Sequence, residues 1–319
     1  MLTDLLLLSA GLLLVILGAD FLVDGASAIA RRFNVSEFVI GLTIVGFGTS
    51  CPELVVSATG AIGGNSDISI GNVIGSNVFN TLLILGITAL IMPITVTRNN
   101  KHRDIPIAFL VTLLMAFCGM SKTLFGLGTS DGLSRVEGIV FLALFVGYIF
   151  LCFKTDEPVI NDGDAPKYIG LFKAIILVLA GLAGLVFGGQ WFVDSAVSIA
   201  QKLRVSDKFI AITLLAGGTS LPELATCIVA SVKKRGQLAL GNILGSNIFN
   251  ILLILGCSAT IMPLSFAGVT LVDLLALAVG IAMTWLATYT FKKDIIDRYD
   301  GILMLGLFAA YYVWLFMNL

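Results

Sequence analysis

Charge is scarce along this chain. Only 12% of its residues are Asp, Glu, Lys or Arg, against roughly 25% in a typical soluble domain. Apolar residues make up 58%, and the mean hydropathy is +1.02. This balance excludes an ordinary soluble fold. The net charge is −1, so the basic footprint of a nucleic-acid-binding protein is missing. There is one histidine, His102, in a charged stretch that reads as a solvated loop. Cys51, Cys118, Cys152, Cys227 and Cys257 have no metal-ligand or disulfide spacing and read as small buried hydrophobes, Cys51 standing apart because it lies inside "GFGTSCPE". "HExxH" does not occur, so no zinc-dependent hydrolase centre of that kind is legible. The alternating segments of a membrane β-barrel are also absent. The first apolar segment lacks a positively charged lead and is too long for a signal peptide.

What the chain does have is long apolar runs. Spans are read near 3–30, 36–62, 70–92, 105–120, 136–153, 171–200, 206–232, 238–262, 269–290 and 301–318. Each is taken to cross a hydrocarbon core ~30 Å thick. The predicted fold is an all-α membrane protein of about ten helices.

The sequence is written twice, at an offset of 170 residues. "FLVDGASAIARRFNVSE" from Phe21 answers "WFVDSAVSIAQKLRVSD" from Trp191. "GTSCPELVVSATGA" from Gly48 answers "GTSLPELATCIVAS" from Gly218. "GNVIGSNVFNTLLILG" from Gly71 answers "GNILGSNIFNILLILG" from Gly241. Each copy holds about five spans. An odd number makes the second copy enter from the opposite face, giving two inverted repeats, as in many secondary transporters. The expected organisation is 1–153, a linker at 154–170, and 171–319, forming one transport domain. Basic residues such as Arg31, Arg32, Arg98, Lys101, Lys154, Lys233 and Lys292 collect on one side; Lys122, Arg135, Lys202, Arg204 and Lys208 are on the other. The positive-inside rule makes the richer side cytoplasmic, with both termini outside. The linker has neither the ligand spacing nor the glycine of a Ca²⁺ loop.

The polar residues concentrate at one depth. Thr49, Thr219, Asn80 and Asn250 sit near the midpoints of four spans, where a buried carboxylate is most costly. Pro52 has no N–H and its ring clashes with the carbonyl of Gly48; Gly46 and Gly48 weaken the helix further. Thr49 and Ser50 precede the proline as N-cap residues do. A break is therefore expected, with carbonyls near Gly46 and Thr49 losing their partners. In hydrocarbon such groups must line a cavity or bind something. Glu53 lies one turn beyond Thr49, and Ser76 and Asn80 are one turn apart on the next helix. Ala216, Thr219, Ser220, Glu223, Ser246 and Asn250 repeat the set. The donors are nearly all oxygens, which suits Ca²⁺ and argues against zinc and copper. Two glutamates neutralise one divalent charge. In its absence they repel, with Na⁺ or protons as the natural replacements.

Plainer readings suit other residues. Ser57, Thr59, Gly71 and Gly75 read as packing residues of close helix contacts. Asp24 and Asp194 read as salt-bridging or capping residues, and Glu137 and Asp273 as helix starts. Asp20, whose counterpart is Gln190, receives no role. Apart from Lys208 at the head of span 206–232, neither broken span holds a Lys or Arg to pair with Glu53 or Glu223.

With these residues the chain resembles the cation/Ca²⁺ exchanger family, and especially its prokaryotic sodium/calcium exchangers. The family pattern "G-T-S-x-P-E" with "G-S-N-x-F-N/D" reads here as Gly48–Glu53 with Gly75–Asn80, and Gly218–Glu223 with Gly245–Asn250. The resemblance implies ten helices, four of them packed around the ions, with the first and sixth sliding over that core. It implies electrogenic exchange of several Na⁺ for one Ca²⁺, in a prokaryotic cell membrane, without cofactor or enzymatic activity. Glu53 and Glu223, with the carbonyls of Thr49 and Thr219, would bind Ca²⁺. Ser50, Ser76, Ser220, Ser246 and the carbonyls of Gly46 and Ala216 would form flanking Na⁺ sites. Asn250 departs from the Asp of many relatives, so Ca²⁺/H⁺ or K⁺-linked exchange stays open, with a passive cation channel further off. The regulatory insertion of animal exchangers is lacking.

Overall fold

The computed structural model describes residues 2–127, 130–156, 169–203 and 216–318. In chain order the helices are α1 (Leu2–Phe33), α2 (Glu37–Thr49), α3 (Cys51–Ile62), α4 (Ser66–Ile91), α5 (Asn100–Gly119), α6 (Ser121–Phe125) and α7 (Arg135–Thr155). Then follow α8 (Leu171–Lys202), α9 (Ala216–Gly218), α10 (Leu221–Val232), α11 (Gly236–Ile261), α12 (Leu271–Ala287) and α13 (Arg298–Met317). Among the described residues seven helices are long and apolar enough to cross a membrane, or eight if the bent pair α2–α3 is one span. The sequence predicts about ten. The difference lies in α10 and α12, of 12 and 17 residues, short of the ~20 that a straight span needs. The first half of the expected span 206–232 lies largely outside the described residues, as do Arg204, Lys208 and most of the linker.

Helix starts follow local chemistry. Glu137 and Asp273 complete capping boxes with Ser134 and Thr270, as expected of helix-start residues. His102 is exposed, but it belongs to a π-helical turn at the head of α5 rather than to a loop. The linker begins tied down: Asp156 accepts hydrogen bonds from Ser36 and Asn99 at 2.8 Å each, and from Arg103 at 3.0 Å.

Repeat-related helices run antiparallel. A Cβ on Gly11 would sit 2.7 Å from the carbonyl of Gly188, on Gly18 2.8 Å from that of Gly181, and on Gly25 2.7 Å from that of Ala174. Numbers rise along α1 as they fall along α8. Glycines seven apart let the two backbones touch. Likewise the start of α4 meets the segment after α11, where the Ser265 N–H donates to Ser66 Oγ at 3.0 Å. The start of α11 meets the segment after α4, where Gln237 Nε2 donates to the carbonyl of Thr95 at 2.5 Å. Two short antiparallel ladders complete this exchange: β1 (Ile94–Thr95) pairs with β4 (Ile295–Ile296), and β2 (Gly132–Leu133) with β3 (Leu264–Ser265).

The core centres on α11, whose most apolar window is 94% buried, against 17% for α13. Gly241 and Gly245 of α11 press on residues 38–42 of α2, with no room for a side chain. The stretch equivalent to 38–42 lies outside the described residues.

The two flanks are unequal. α1 lies along α10, whereas α8 makes at most marginal contact with α3. Matched positions show the result: Pro52 is half-buried where Pro222 is buried, and Val55 and Thr59 are exposed where Ala225 and Val229 are half-buried. Lys233, at the end of α10, pins α1 by pairing with Asp20 at 2.7 Å and Asp24 at 2.6 Å. Asp24 thus has its salt bridge, and Asp20 has a role the sequence reading did not assign. The position equivalent to Lys233 is Gly63, which has no side chain to make the mirrored pair.

Candidate functional site

The break occurs where Pro52 requires it. Ser50 ends α2 and precedes α3, and the two helices meet at a 49° bend. Ser50 occupies the N-cap position but caps nothing; its hydroxyl is used elsewhere. Ser220 stands likewise before α10, with Pro222 in the first turn. One expectation is corrected. The Gly46 carbonyl keeps its helical partner, the Ser50 N–H at 3.0 Å, because the chain bends only after Ser50. Pro52 brings no N–H to Gly48, and among the described residues no backbone N–H outside the regular helices reaches the carbonyl of Thr49.

The side chains meet by exchange between the halves. Ser50 Oγ donates to Glu223 Oε1 at 3.0 Å, and Ser220 Oγ donates to Glu53 Oε1 at 3.3 Å. Thr49 Oγ1 donates to Asn242 Oδ1 at 3.2 Å, and Thr219 Oγ1 donates to Asn72 Oδ1 at 3.4 Å. Each contact i to j is matched by its partner at the 170-residue offset, the pattern a twofold relation produces. Asn72 Nδ2 also braces the bend, donating to the Glu53 carbonyl at 3.2 Å and to Ser57 Oγ at 3.0 Å. Asn242 does the equivalent to Cys227, donating to its sulfur at 3.3 Å.

Burial is nearly complete. Glu53 and Glu223 are each 1% exposed. Thr49, Ser50, Ser76, Asn80, Ser220, Ser246 and Asn250 are buried too, and Thr219 is half-buried. Ala216 opens the short turn before Ser220. Asn80 and Asn250 fall in π-helical stretches, Phe79–Ile84 and Phe249–Leu255. Such stretches widen a helix and recur at functional sites. Among the described residues several oxygens are buried without a hydrogen-bond partner, including Glu53 Oε2, Glu223 Oε2, Ser76 Oγ, Ser246 Oγ, Asn80 Oδ1 and Asn250 Oδ1. Unsatisfied buried oxygens are expensive. These six belong to the candidate set, while others, such as those of Ser27, Ser69, Thr88 and Ser258, lie outside it; oxygens of this kind are what a hard cation takes as ligands. Among the described residues no group of three or more His, Cys, Asp or Glu gathers.

Three residues whose side chains contact this set were missed: Asn72 with its counterpart Asn242, and Asn77, whose counterpart Asn247 has no side-chain partner among the described residues. The signal was present, since both pairs recur at the 170-residue offset inside the repeated "GNxxGSNxFN" motif. An asparagine at helical spacing does not reveal that its partner lies in the other half of the chain.

Fold and site together define a multi-span membrane protein with a buried, oxygen-lined site shared between two related halves. The family described as sodium/calcium exchanger protein matches residues 3–154 and 173–317. The chain belongs to that family, and is a cation/Ca²⁺ exchanger. It is 39% identical to a putative antiporter, CaxA, of Alkalimonas amylolytica over 97% of each chain. It is 32% identical to the sodium/calcium exchanger MaX1 of Methanosarcina acetivorans over 98% of each. The solved sodium-calcium exchanger NCX_Mj superposes with a TM-score of 0.84, at 34% identity and 98% coverage of both chains.

Proposed function

We propose that this chain is a Na⁺/Ca²⁺ antiporter that carries both ions through one midplane site by alternating access. The observation carrying this reading is the reciprocal pair Glu53–Ser220 and Glu223–Ser50, surrounded by buried oxygens that lack partners. Glu53 and Glu223, with the carbonyls of Thr49 and Thr219, take Ca²⁺. Asn80 and Asn250 offer amide oxygens beside them. Ser50, Ser76, Ser220 and Ser246, with the carbonyls of Gly46 and Ala216, take Na⁺. Two carboxylates balance one Ca²⁺ or two monovalent ions, so a site emptied of one must take the other. Relatives named as sodium/calcium exchangers favour Na⁺ as the counter-ion.

In this reading ten spans form two inverted five-helix repeats, 1–153 and 171–319, joined by a cytoplasmic linker at 154–170. The antiparallel pairs α1–α8 and α4–α11 support it. Both termini face outward from a prokaryotic cell membrane, with the lipid bilayer as the surrounding partner. The Lys233 end is the cytoplasmic one and is closed by α1. Ions enter along α3, which α8 leaves uncovered.

Ca²⁺/H⁺ exchange is the second reading, because Asn250 supplies no third carboxylate and two protons neutralise both glutamates. K⁺-linked exchange uses the same scaffold. The test is radioactive Ca²⁺ uptake into proteoliposomes loaded with Na⁺, K⁺ or acid buffer, with Glu53→Gln protein as control. Uptake that needs internal Na⁺ and fails in the variant supports Na⁺/Ca²⁺ exchange. Uptake driven by a proton gradient without Na⁺ replaces it with the second reading, and flux needing no counter-gradient indicates a channel.

A further inference from the structure

Asn77 is 2% exposed where α4 meets α11. Its Nδ2 donates to the backbone carbonyl of Asn247 at 3.2 Å, and its Oδ1 accepts from Asn250 Nδ2 at 2.9 Å. The order of these bonds is forced. A backbone carbonyl can only accept, so the Asn77 nitrogen must point at Asn247. Its oxygen then faces Asn250, which must answer with nitrogen. The remaining atom of that amide, Asn250 Oδ1, is buried with no partner. One turn earlier on α11, Ser246 Oγ is buried and without a partner in the same way.

We propose that Asn77 is a positioning residue for the ion site: it locks the Asn250 amide so that oxygen, not nitrogen, is presented to the cation. An N–H dipole turned toward a cation would repel it, so a freely flipping amide spends part of its time as an anti-ligand. Asn77 acts only through Asn250. The lock is one-sided. The equivalents of Asn77 and Asn250 are Asn247 and Asn80, and all four polar side-chain atoms of that pair are buried without partners among the described residues. Nothing in the sequence distinguishes the two asparagine pairs; only the contacts do. The inference rests on the proposal that Asn250 helps bind Ca²⁺.

The test is equilibrium binding of radioactive Ca²⁺ to the purified full-length protein in detergent. Asn77→Leu and Asn250→Leu should each weaken binding about ten-fold, the scale of one lost hydrogen bond or ligand. The double variant should be no weaker than Asn250→Leu alone, because the lock has nothing left to hold. Asn247→Leu, equally buried at the equivalent position, should change affinity by less than about two-fold. Multiplicative losses in the double variant would overturn the proposal, as would equal losses from Asn77→Leu and Asn247→Leu. Should Asn77→Leu fail to fold, Asn77→Ser replaces it, being too short to span both partners. Glu53→Gln runs alongside. Binding lost in Glu53→Gln but untouched by both Asn77 variants overturns this inference alone. No binding by the unsubstituted chain overturns the functional reading and this inference with it.

Discussion

Ser50 and Glu223 stand 173 residues apart in sequence and share a hydrogen bond of 3.0 Å, mirrored by Ser220 and Glu53 at 3.3 Å. Each half therefore aims the carboxylate of the other. Ser50→Ala and Ser220→Ala should each weaken Ca²⁺ binding by about ten-fold, the cost of removing a hydrogen bond to a charged group. The two effects should agree within a factor of about three, because the contacts are equivalent. Equilibrium Ca²⁺ binding to the two variants checks both the loss and its symmetry.

The α1–α8 seam tolerates no side chain. Gly18→Ala would place its methyl 2.8 Å from the carbonyl of Gly181. Overpacking of this kind costs about 1–3 kcal/mol. The variant should unfold at a lower temperature in detergent, whereas Gly147→Ala, whose position is open, should not.

Lys233 holds α1 at one end only. Lys233→Gln, and Asp20→Asn with Asp24→Asn, should each raise hydrogen exchange in residues 20–30 by about two- to five-fold, the scale of a partly exposed ion pair. Combining all three changes should add little, since the same contact is already lost.

Asp294 gives a pH dependence. A hydrogen bond from Lys101, 2.6 Å away, holds its carboxyl below the usual carboxylate range. Because the folded pKa is depressed, the stabilisation is full above the unfolded pKa of about 3.9 and lost as pH falls through the folded value. Asp294→Asn should therefore lower the thermal midpoint near pH 6. The gap from the unsubstituted protein should shrink below about pH 4, read by thermal unfolding across that range.

Much of this was legible before any contact was known. The 170-residue repeat, the proline breaks and the level of the polar residues follow from residue order alone. So does the oxygen-rich donor set. Other features were hidden because they depend on neighbours remote in sequence. The hydroxyl of Ser50 reads as a cap and is instead spent on Glu223. The π-helical stretches holding Asn80 and Asn250 leave no mark in the apolar periodicity. The seam of Gly11, Gly18 and Gly25 has a visible seven-residue spacing, but its partner cannot be named without α8.

The sequence by itself determined the class, the duplication and the set of candidate donors, because hydropathy, proline geometry and ligand chemistry are local properties of residues. Only the tertiary structure decided which donors meet and how the twofold relation is broken. It put Lys233 against Asp20 and Asp24, and gave Asn77 two partners while leaving Asn247's side chain none among the described residues. Near-identical repeats encode near-identical local preferences. A difference between their environments arises only once the helices pack.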